Sequence, residues 1–137
     1  MKQTDKDKEV FHTHHAQVGL SITRQILMIS IQVELYDDVL DCLQERMLNM
    51  LQKHALKGLL LDLSHVPLLD YETAQRLEKI LAMAKLLGAY CVVAGIQPNV
   101  AACMVHWNHR WQGMKIARNL DDGFYLLDHA LCLNFDV

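Results

Sequence analysis

The sequence predicts an α/β domain with a mostly parallel sheet and helices packed against it. The chain has 137 residues, of which 52% are hydrophobic and 21% are charged, so it has the size and composition of one domain with a real core. Short, continuous apolar runs alternate along it with stretches whose apolar residues recur at helical spacing. This alternation is typical of a sheet that is covered by helices, and no linker or repeat interrupts it.

Five segments have the composition of strands. They are, in chain order, VGLSIT, ILMISIQVEL, GLLLDLS, AYCVVAGI and MKIARN. Arg24 and Gln25 separate the first two and predict a turn, and the last segment is expected to be an edge strand. Residues 1–16 are rich in charged residues and histidine, and we expect a flexible polar arm there. The folded domain is then predicted to span residues 17–137.

Four stretches have the spacing of amphipathic helices. They begin at YDDVLDCL, DYETAQRL, PNVAACMV and DDGFYLLD. Asp37 or Asp38 is expected to cap the first helix, and Gly58 to stop it. Gly88 is expected to end the second helix, and Pro98 suits the first turn of the third. The predicted architecture is therefore a single α/β domain with about four helices.

Composition and charge exclude several classes of function. The formal net charge is −3 and no long basic run occurs, so we expect no nucleic-acid partner. No run approaches the ~18–20 apolar residues of a membrane span, and the N-terminus lacks the apolar stretch of a signal peptide. The four cysteines are scattered in apolar contexts, which is typical of reduced core residues. We therefore expect a cytoplasmic protein without a membrane partner.

The residues offer little support for catalysis. No GxSxG motif or phosphate-binding glycine pattern occurs, and capping explains carboxylate pairs such as Asp121/Asp122, which stand where helices begin. His106 and His109 are spaced i, i+3 on a predicted helix, and residues 12–15 read HTHH. No carboxylate or cysteine completes a ligand set, so we interpret these histidines as solvent-facing. The sequence predicts no catalytic residue, no metal and no cofactor.

The stretch DLSHVPLLDYETAQRL is the strongest functional candidate. A strand is predicted to end near Leu63, and a short loop leads to Asp70, a good helix cap. In α/β sheets, the crevice beyond the carboxyl ends of the strands is the usual place for function. Tyr71, Glu72 and Thr73 are expected in the first helical turn there. An added phosphate on a hydroxyl of this turn lies against the helix dipole, so the turn is a good phosphorylation site.

Three blocks, ILMISIQVEL, LLLDLSHVPLLD and LGAYCVVAGIQPNVA, together resemble the STAS domain of the anti-sigma factor antagonists. The likeness runs from about Val18 to about Leu127, and AGIQP and SIQVEL are similar to the stand-alone scaffold of the stressosome. The resemblance implies a STAS-like fold and a cytoplasmic, non-enzymatic regulator of a stress-signalling pathway that exchanges protein partners. The implied partners are other STAS-domain proteins and a Ser/Thr kinase or an anti-sigma factor, in a homo- or hetero-oligomer. The implied partner-binding residues are Asp70, Tyr71, Glu72, Thr73, Gln97 and Pro98.

The position after the capping aspartate departs from the family pattern. In typical members a Ser or Thr follows that aspartate and is phosphorylated by a partner kinase, whereas here Tyr71 follows Asp70. Three hypotheses follow: Tyr71 makes the chain a locked scaffold, Thr73 is the acceptor, or Tyr71 is itself modified. The first is favoured, because a tyrosyl oxygen lies several ångströms farther from the backbone than a seryl oxygen. A surface aromatic that covers a neighbouring loop is the structural alternative.

The alternative function is that of a small-molecule sensor, with Cys91, Trp107 and Trp111 lining a pocket beside the same corner. The two tryptophans are spaced i, i+4 and share one face if the third helix extends that far. Core and edge packing explains them, and Trp together with Arg110 is also typical of residues that anchor protein interfaces. The sequence leaves both interpretations of this segment open.

Overall fold

The computed structural model describes residues 8–13, 16–32, 35–107, 111 and 113–132. Within these ranges the chain forms six strands and four helices. The strands are β1 (Lys8–Thr13), β2 (Ala16–Thr23), β3 (Ile26–Gln32), β4 (Gly58–His65), β5 (Tyr90–Ala94) and β6 (Lys115–Ala117). The helices are α1 (Asp37–Lys53), α2 (Tyr71–Leu86), α3 (Pro98–His106) and α4 (Leu120–Leu131).

The six strands form one mixed sheet in which the spatial order follows the chain, from β1 to β6. The first three strands are antiparallel neighbours. The remaining pairings, from β3 to β6, are parallel, and α1, α2 and α3 connect these strands in turn. This arrangement confirms the predicted α/β domain with a mixed, mostly parallel sheet and about four helices.

Strand β1 corrects part of the predicted flexible arm. Residues Lys8–Thr13 pair antiparallel with residues 16–21 of β2, so they belong to the sheet. The segment KEVFHT contains β-branched and aromatic residues that suit a strand, and its pairing satisfies backbone groups along the edge of β2. The other residues of the predicted arm, apart from Ala16 in β2, lie outside the described ranges. The domain boundary at residue 17 stays a prediction.

Alternating side chains of the strands build a core on each face of the sheet. On one face, α1, α2 and α3 cover the larger core, to which β4 contributes Leu59, Leu61 and Leu63. On the opposite face, α4 packs through Leu127 into a smaller core that includes Leu60. The central strands are therefore buried on both faces, which explains why their sequences are continuously apolar.

Several helix limits differ from those that the sequence predicts. Tyr36 holds the N-cap position of α1, so neither predicted aspartate is its cap; both lie in its first turn, where the helix dipole favours them. The same helix ends at Lys53 and the chain turns at Ala55 (φ 50°), so Gly58 starts β4 instead of stopping the helix. Helix α3 ends before it reaches Trp111, so the two tryptophans do not share a helix face.

Other local signals in the sequence are confirmed. Arg24 and Gln25 form the turn between β2 and β3, and both adopt left-handed φ angles of 49° and 67°. Gly88 follows α2 with a φ of 93°, and Pro98 is the first residue of α3. The side chain of Arg24 also forms a salt bridge of 3.1 Å with Asp128, which ties this turn to α4.

Candidate functional site

The loop after β4 forms a sharp turn into α2, which we call the Asp70 corner (residues 64–74). Leu69 turns into the core and is 6% exposed, whereas Leu68 projects outward and is 68% exposed. The carboxylate of Asp70 then accepts a hydrogen bond of 2.7 Å from the backbone N–H of Thr73. A buried leucine and a side-chain cap thus fix the start of the helix, and the predicted capping role of Asp70 is confirmed.

Tyr71 is the first residue of α2, and it packs against the end of α3. Its ring meets Trp107 edge to face, with centroids 5.8 Å apart and an interplanar angle of 73°. Its hydroxyl accepts a hydrogen bond of 2.6 Å from the side-chain amide of Gln75, one turn farther along the same helix. The side chain remains 43% exposed. Tyr71 therefore bridges two helices while its hydroxyl lies near the surface.

Trp111 holds the start of α2 from the buried side of the helix. Its side chain is only 5% exposed, and its indole N–H donates a hydrogen bond of 3.2 Å to the backbone carbonyl of Ala74. Core packing is thus confirmed for Trp111. Trp107 is half-buried at the C-cap of α3 and packs against the edge of the core. Arg110, which we predict as a possible interface residue together with the tryptophans, lies outside the described residues.

An open groove lies beside the Asp70 corner, and we call it the Trp107 groove. It has a volume of about 500 Å³. Its lining comes from the two residues before α1, the loop before α2, the first turn of α2 and the residue after α3. The lining residues are Leu35, Tyr36, Leu68, Leu69, Asp70, Thr73 and Trp107.

The predicted partner-binding residues fall into two places. Residues 70–73 occupy one helical turn at the groove, where Thr73 is half-buried. Gln97 and Pro98 lie at the other end of α3, where the amide of Gln97 donates a hydrogen bond of 2.6 Å to the backbone carbonyl of Ser64. Gln97 therefore links the start of α3 to the end of β4, while Trp107 provides the contact of that helix with Tyr71.

A second, polar pocket of about 470 Å³ lies where β4, β5 and β6 end. Asp62 at its base is 5% exposed and accepts hydrogen bonds from the backbone N–H (3.0 Å) and the hydroxyl (2.7 Å) of Ser64. Asn119 also lines this pocket, and it caps α4 by accepting a hydrogen bond of 2.8 Å from the backbone N–H of Asp122. Sequence reasoning did not select Asp62, although a lone aspartate inside the apolar run LLLDL is a signal for it.

The described residues hold no cluster of three or more His, Cys, Asp and Glu side chains that fits a metal ion. His106 is the last residue of α3, and His109 lies outside the described ranges, so their suggested pairing stays untested. Of the residues suggested for a sensor pocket, Trp107 lines the groove, whereas Cys91 and Trp111 are buried in the core. Burial raises the pKa of the Cys91 thiol to about 12, and Lys85 opposes this only partly, so the thiol stays protonated at neutral pH.

In the part of the chain that the structure describes, no helix combines the length and the hydrophobicity that crossing a bilayer requires.

Comparison with known proteins gives one family. The sequence model of the STAS domain matches residues 17–121 of the chain, which includes the Asp70 corner and strands β3 to β6. Among curated proteins, the RsbT co-antagonist protein RsbRD of Bacillus subtilis (strain 168) is 27% identical over 120 residues. That match covers 88% of this chain and 43% of RsbRD, so the chain spans less than half the length of this relative.

Two solved structures are also similar to the chain. A variant of RsbS from Moorella thermoacetica has a TM-score of 0.73 and 28% sequence identity, and the match covers 84% of this chain and 97% of RsbS. A chain from a structure described as the molecular architecture of the stressosome, a signal integration and transduction hub, has a TM-score of 0.69 and 25% identity. That match covers 82% of this chain and 97% of the other. The chain is thus similar to a chain from that structure of the stressosome as well as to RsbS.

Proposed function

The chain belongs to the STAS domain family, and we propose that it is a non-enzymatic, cytoplasmic regulator that works by binding protein partners. Its specific role is that of an anti-sigma factor antagonist or stressosome scaffold in a partner-switching stress pathway. The similarity to RsbS, to a stressosome chain and to the co-antagonist RsbRD supports this role. The proposed partners are other STAS-domain proteins and a Ser/Thr kinase or an anti-sigma factor, in a homo- or hetero-oligomer.

The geometry of the Asp70 corner carries the finer part of the proposal. Asp70 caps α2 in the manner expected of a phosphorylated STAS corner, but the next residue is Tyr71. The tyrosine ring rests edge-on against Trp107, and the hydroxyl accepts a hydrogen bond from Gln75. A kinase site shaped for a seryl or threonyl oxygen does not align with an oxygen at the far end of this ring. We therefore propose that the chain is a locked scaffold that binds partners and does not switch.

Two hypotheses compete with that of a locked scaffold. Thr73 lies two residues farther along α2 and lines the Trp107 groove, so it is the second candidate acceptor. Phosphorylation of Tyr71 itself is the third hypothesis. In this case the added charge has to coexist with the Trp107 contact or break it, because both involve the same ring.

Reconstitution with the host's own STAS partners and stress-pathway Ser/Thr kinase tests the proposal. We expect wild type to enter a large assembly without phosphate at the corner, as read by native mass spectrometry and phosphosite mapping. Tyr71→Ser is expected to accept phosphate and to leave the assembly. Tyr71→Phe is the matched control, since it keeps the ring and removes the hydroxyl; it is expected to behave as wild type.

Three outcomes would contradict parts of this proposal. Phosphate on Thr73 of the wild type would support Thr73 as the acceptor and contradict the locked scaffold. Phosphate that is present in wild type and absent in Tyr71→Phe would support Tyr71 itself as the acceptor. Failure of wild type to bind any STAS-domain partner overturns the proposed role as a scaffold.

A further inference from the structure

The Trp107 groove presents apolar surface to solvent beside the proposed switch. Leu68 is 68% exposed and Tyr36 is 41% exposed, and half-buried Leu35 and Trp107 complete the apolar lining. The volume of about 500 Å³ lies in the range of clefts that bind ligands. Exposed leucine and aromatic side chains clustered in one concave site are typical of a docking surface, unlike apolar residues scattered singly.

Acidic residues line this groove or adjoin its lining residues in the chain, and we call Asp37, Asp70 and Glu72 its acidic rim. Asp70 belongs to the lining, Asp37 directly follows Tyr36 with a 98% exposed side chain, and Glu72 is exposed in the first turn of α2. Arg76 of α2 is a basic residue that faces α1. It pairs with Asp41 and lies 3.9 Å from Asp37, so its charge is already largely offset. The dipoles of α1 and α2 favour carboxylates in their first turns, so these acids also stabilise the helices.

We infer that the Trp107 groove binds a basic, amphipathic segment of a partner protein. An apolar side chain of that segment enters the groove between Leu68 and Trp107, while its Lys or Arg side chains contact the acidic rim. Complementary charge favours such a segment, whereas an acidic or phosphorylated segment would meet carboxylates of the same sign. The inference rests on the proposed function and deepens it, because it gives the chemistry of the partner surface that the Asp70 corner recognises.

Selection from a library of short random peptides displayed on phage tests this inference. The full chain is immobilised, and phage that also bind an unrelated protein on the same support are removed. We expect the selected peptides to combine a Leu, Phe, Trp or Met anchor with several Lys or Arg residues. Selection of acidic peptides, or of peptides without basic residues, would overturn the inference.

Calorimetric titration of the selected peptides, made synthetically, then measures how each part of the groove contributes. Leu68→Glu is expected to weaken binding by about ten-fold or more, because it places a charge where the anchor enters. The double variant Asp37→Asn with Glu72→Gln is expected to weaken binding less and to flatten its dependence on salt. Leu86→Glu is the matched control: Leu86 is 88% exposed at the other end of α2, and binding is expected to be unchanged.

Sedimentation equilibrium of wild type and the same variants tests whether a second copy of the chain occupies the groove instead. Self-association of wild type that Leu68→Glu abolishes and Leu86→Glu retains would overturn the inference, because a second copy would then fill the groove. Equal peptide affinity in wild type and Leu68→Glu would also overturn it. If the chain still assembles with STAS partners but selects no basic peptide, this inference fails and the proposed function stands. Loss of assembly itself contradicts the proposed function.

Discussion

Two corners of the molecule begin a helix in the same way and differ in what surrounds that beginning. At the Asp70 corner, a carboxylate accepts a 2.7 Å hydrogen bond from the N–H three residues on. At the second corner, residues 118–123, which we call the Asn119 corner, a side-chain amide oxygen accepts a 2.8 Å hydrogen bond with the same spacing. Both lie beyond the carboxyl ends of parallel strands. The caps are thus equivalent, and the difference lies in their neighbours.

Aromatic and apolar side chains surround the Asp70 corner, whereas most of the residues that line the pocket at the Asn119 corner are polar or small. Tyr71, Trp107 and Trp111 surround the first turn of α2, and an apolar groove opens beside them. At the Asn119 corner, exposed Arg118 pairs with the first helical turn and a glycine packs closely on the sheet. A cap therefore specifies where a helix starts, and the residues around it determine whether that start presents a docking surface.

Replacement of the buried tryptophan is expected to separate the two corners most clearly. Trp111→Ala should lower the free energy of unfolding by about 3–5 kcal/mol, because it removes a side chain that is 5% exposed and its hydrogen bond to Ala74. Arg118→Ala at the other corner should change it by less than about 0.5 kcal/mol, since that side chain is 85% exposed. Urea denaturation followed by circular dichroism measures both. Similar losses in the two variants would contradict the view that packing differs between the corners.

Gly95, which lines the polar pocket together with Asn119, gives the second prediction. Gly95 has a φ of 77°, and an added Cβ would lie 2.9 Å from the Cβ of Ser64 and 3.1 Å from its backbone nitrogen. Gly95→Ala is therefore expected to cost about 2–4 kcal/mol, from the left-handed backbone and the steric overlap together. Gly88 is the matched control, because its φ is 93° and no atom lies within 4 Å of an added Cβ.

Gly88→Ala should cost only the backbone part, about 1–2 kcal/mol. Thermal and urea unfolding of the two variants measure the difference directly. If the two losses are equal, the close approach of Gly95 to Ser64 does not contribute to stability. A larger loss for Gly95→Ala would show that close packing between the ends of β4 and β5 stabilises the polar pocket, as aromatic packing stabilises the first turn of α2.

Local signals explain why the sequence predicted much of the fold. The apolar runs of β3, β4 and β5 reflect burial on both faces, and that pattern is contained within each segment. The cap at Asp70 depends on residues three apart, so it is also readable locally. The sequence does not predict strand β1, because KEVFHT is polar at intervals and becomes a strand through pairing with β2. Local propensity does not report such pairing.

The candidate site was less predictable, because its shape depends on residues that are distant in the chain. The corner itself and the presence of Tyr71 were visible in the sequence, but the contact of that ring with Trp107 was not. The spacing of Trp107 and Trp111 suggested one helical face, whereas the helix ends first and the two side chains reach α2 separately. The Trp107 groove likewise combines residues from three separate parts of the chain, namely those before α1, those around the start of α2 and the residue after α3, so no single segment indicates it.

Replacement of the two helix caps is expected to have the smallest effect on stability, and it compares the two corners most directly. Asp70→Ala and Asn119→Ala each remove one side-chain acceptor from the first turn of a helix, and each should cost about 1 kcal/mol in urea denaturation. The stability losses are expected to match, because both caps are exposed and bind one N–H at nearly the same distance.

Binding should distinguish these two variants even though stability does not. Asp70 lines the Trp107 groove and contributes to its acidic rim. Asp70→Ala is therefore expected to weaken the binding of the basic peptides that were selected on wild type. Asn119 lies in the other pocket, and its replacement should leave that affinity unchanged. If both variants weaken binding equally, the effect comes from general loss of helix stability and the two corners are not functionally different. If only Asp70→Ala weakens it, two equivalent caps have acquired different uses through the side chains around them.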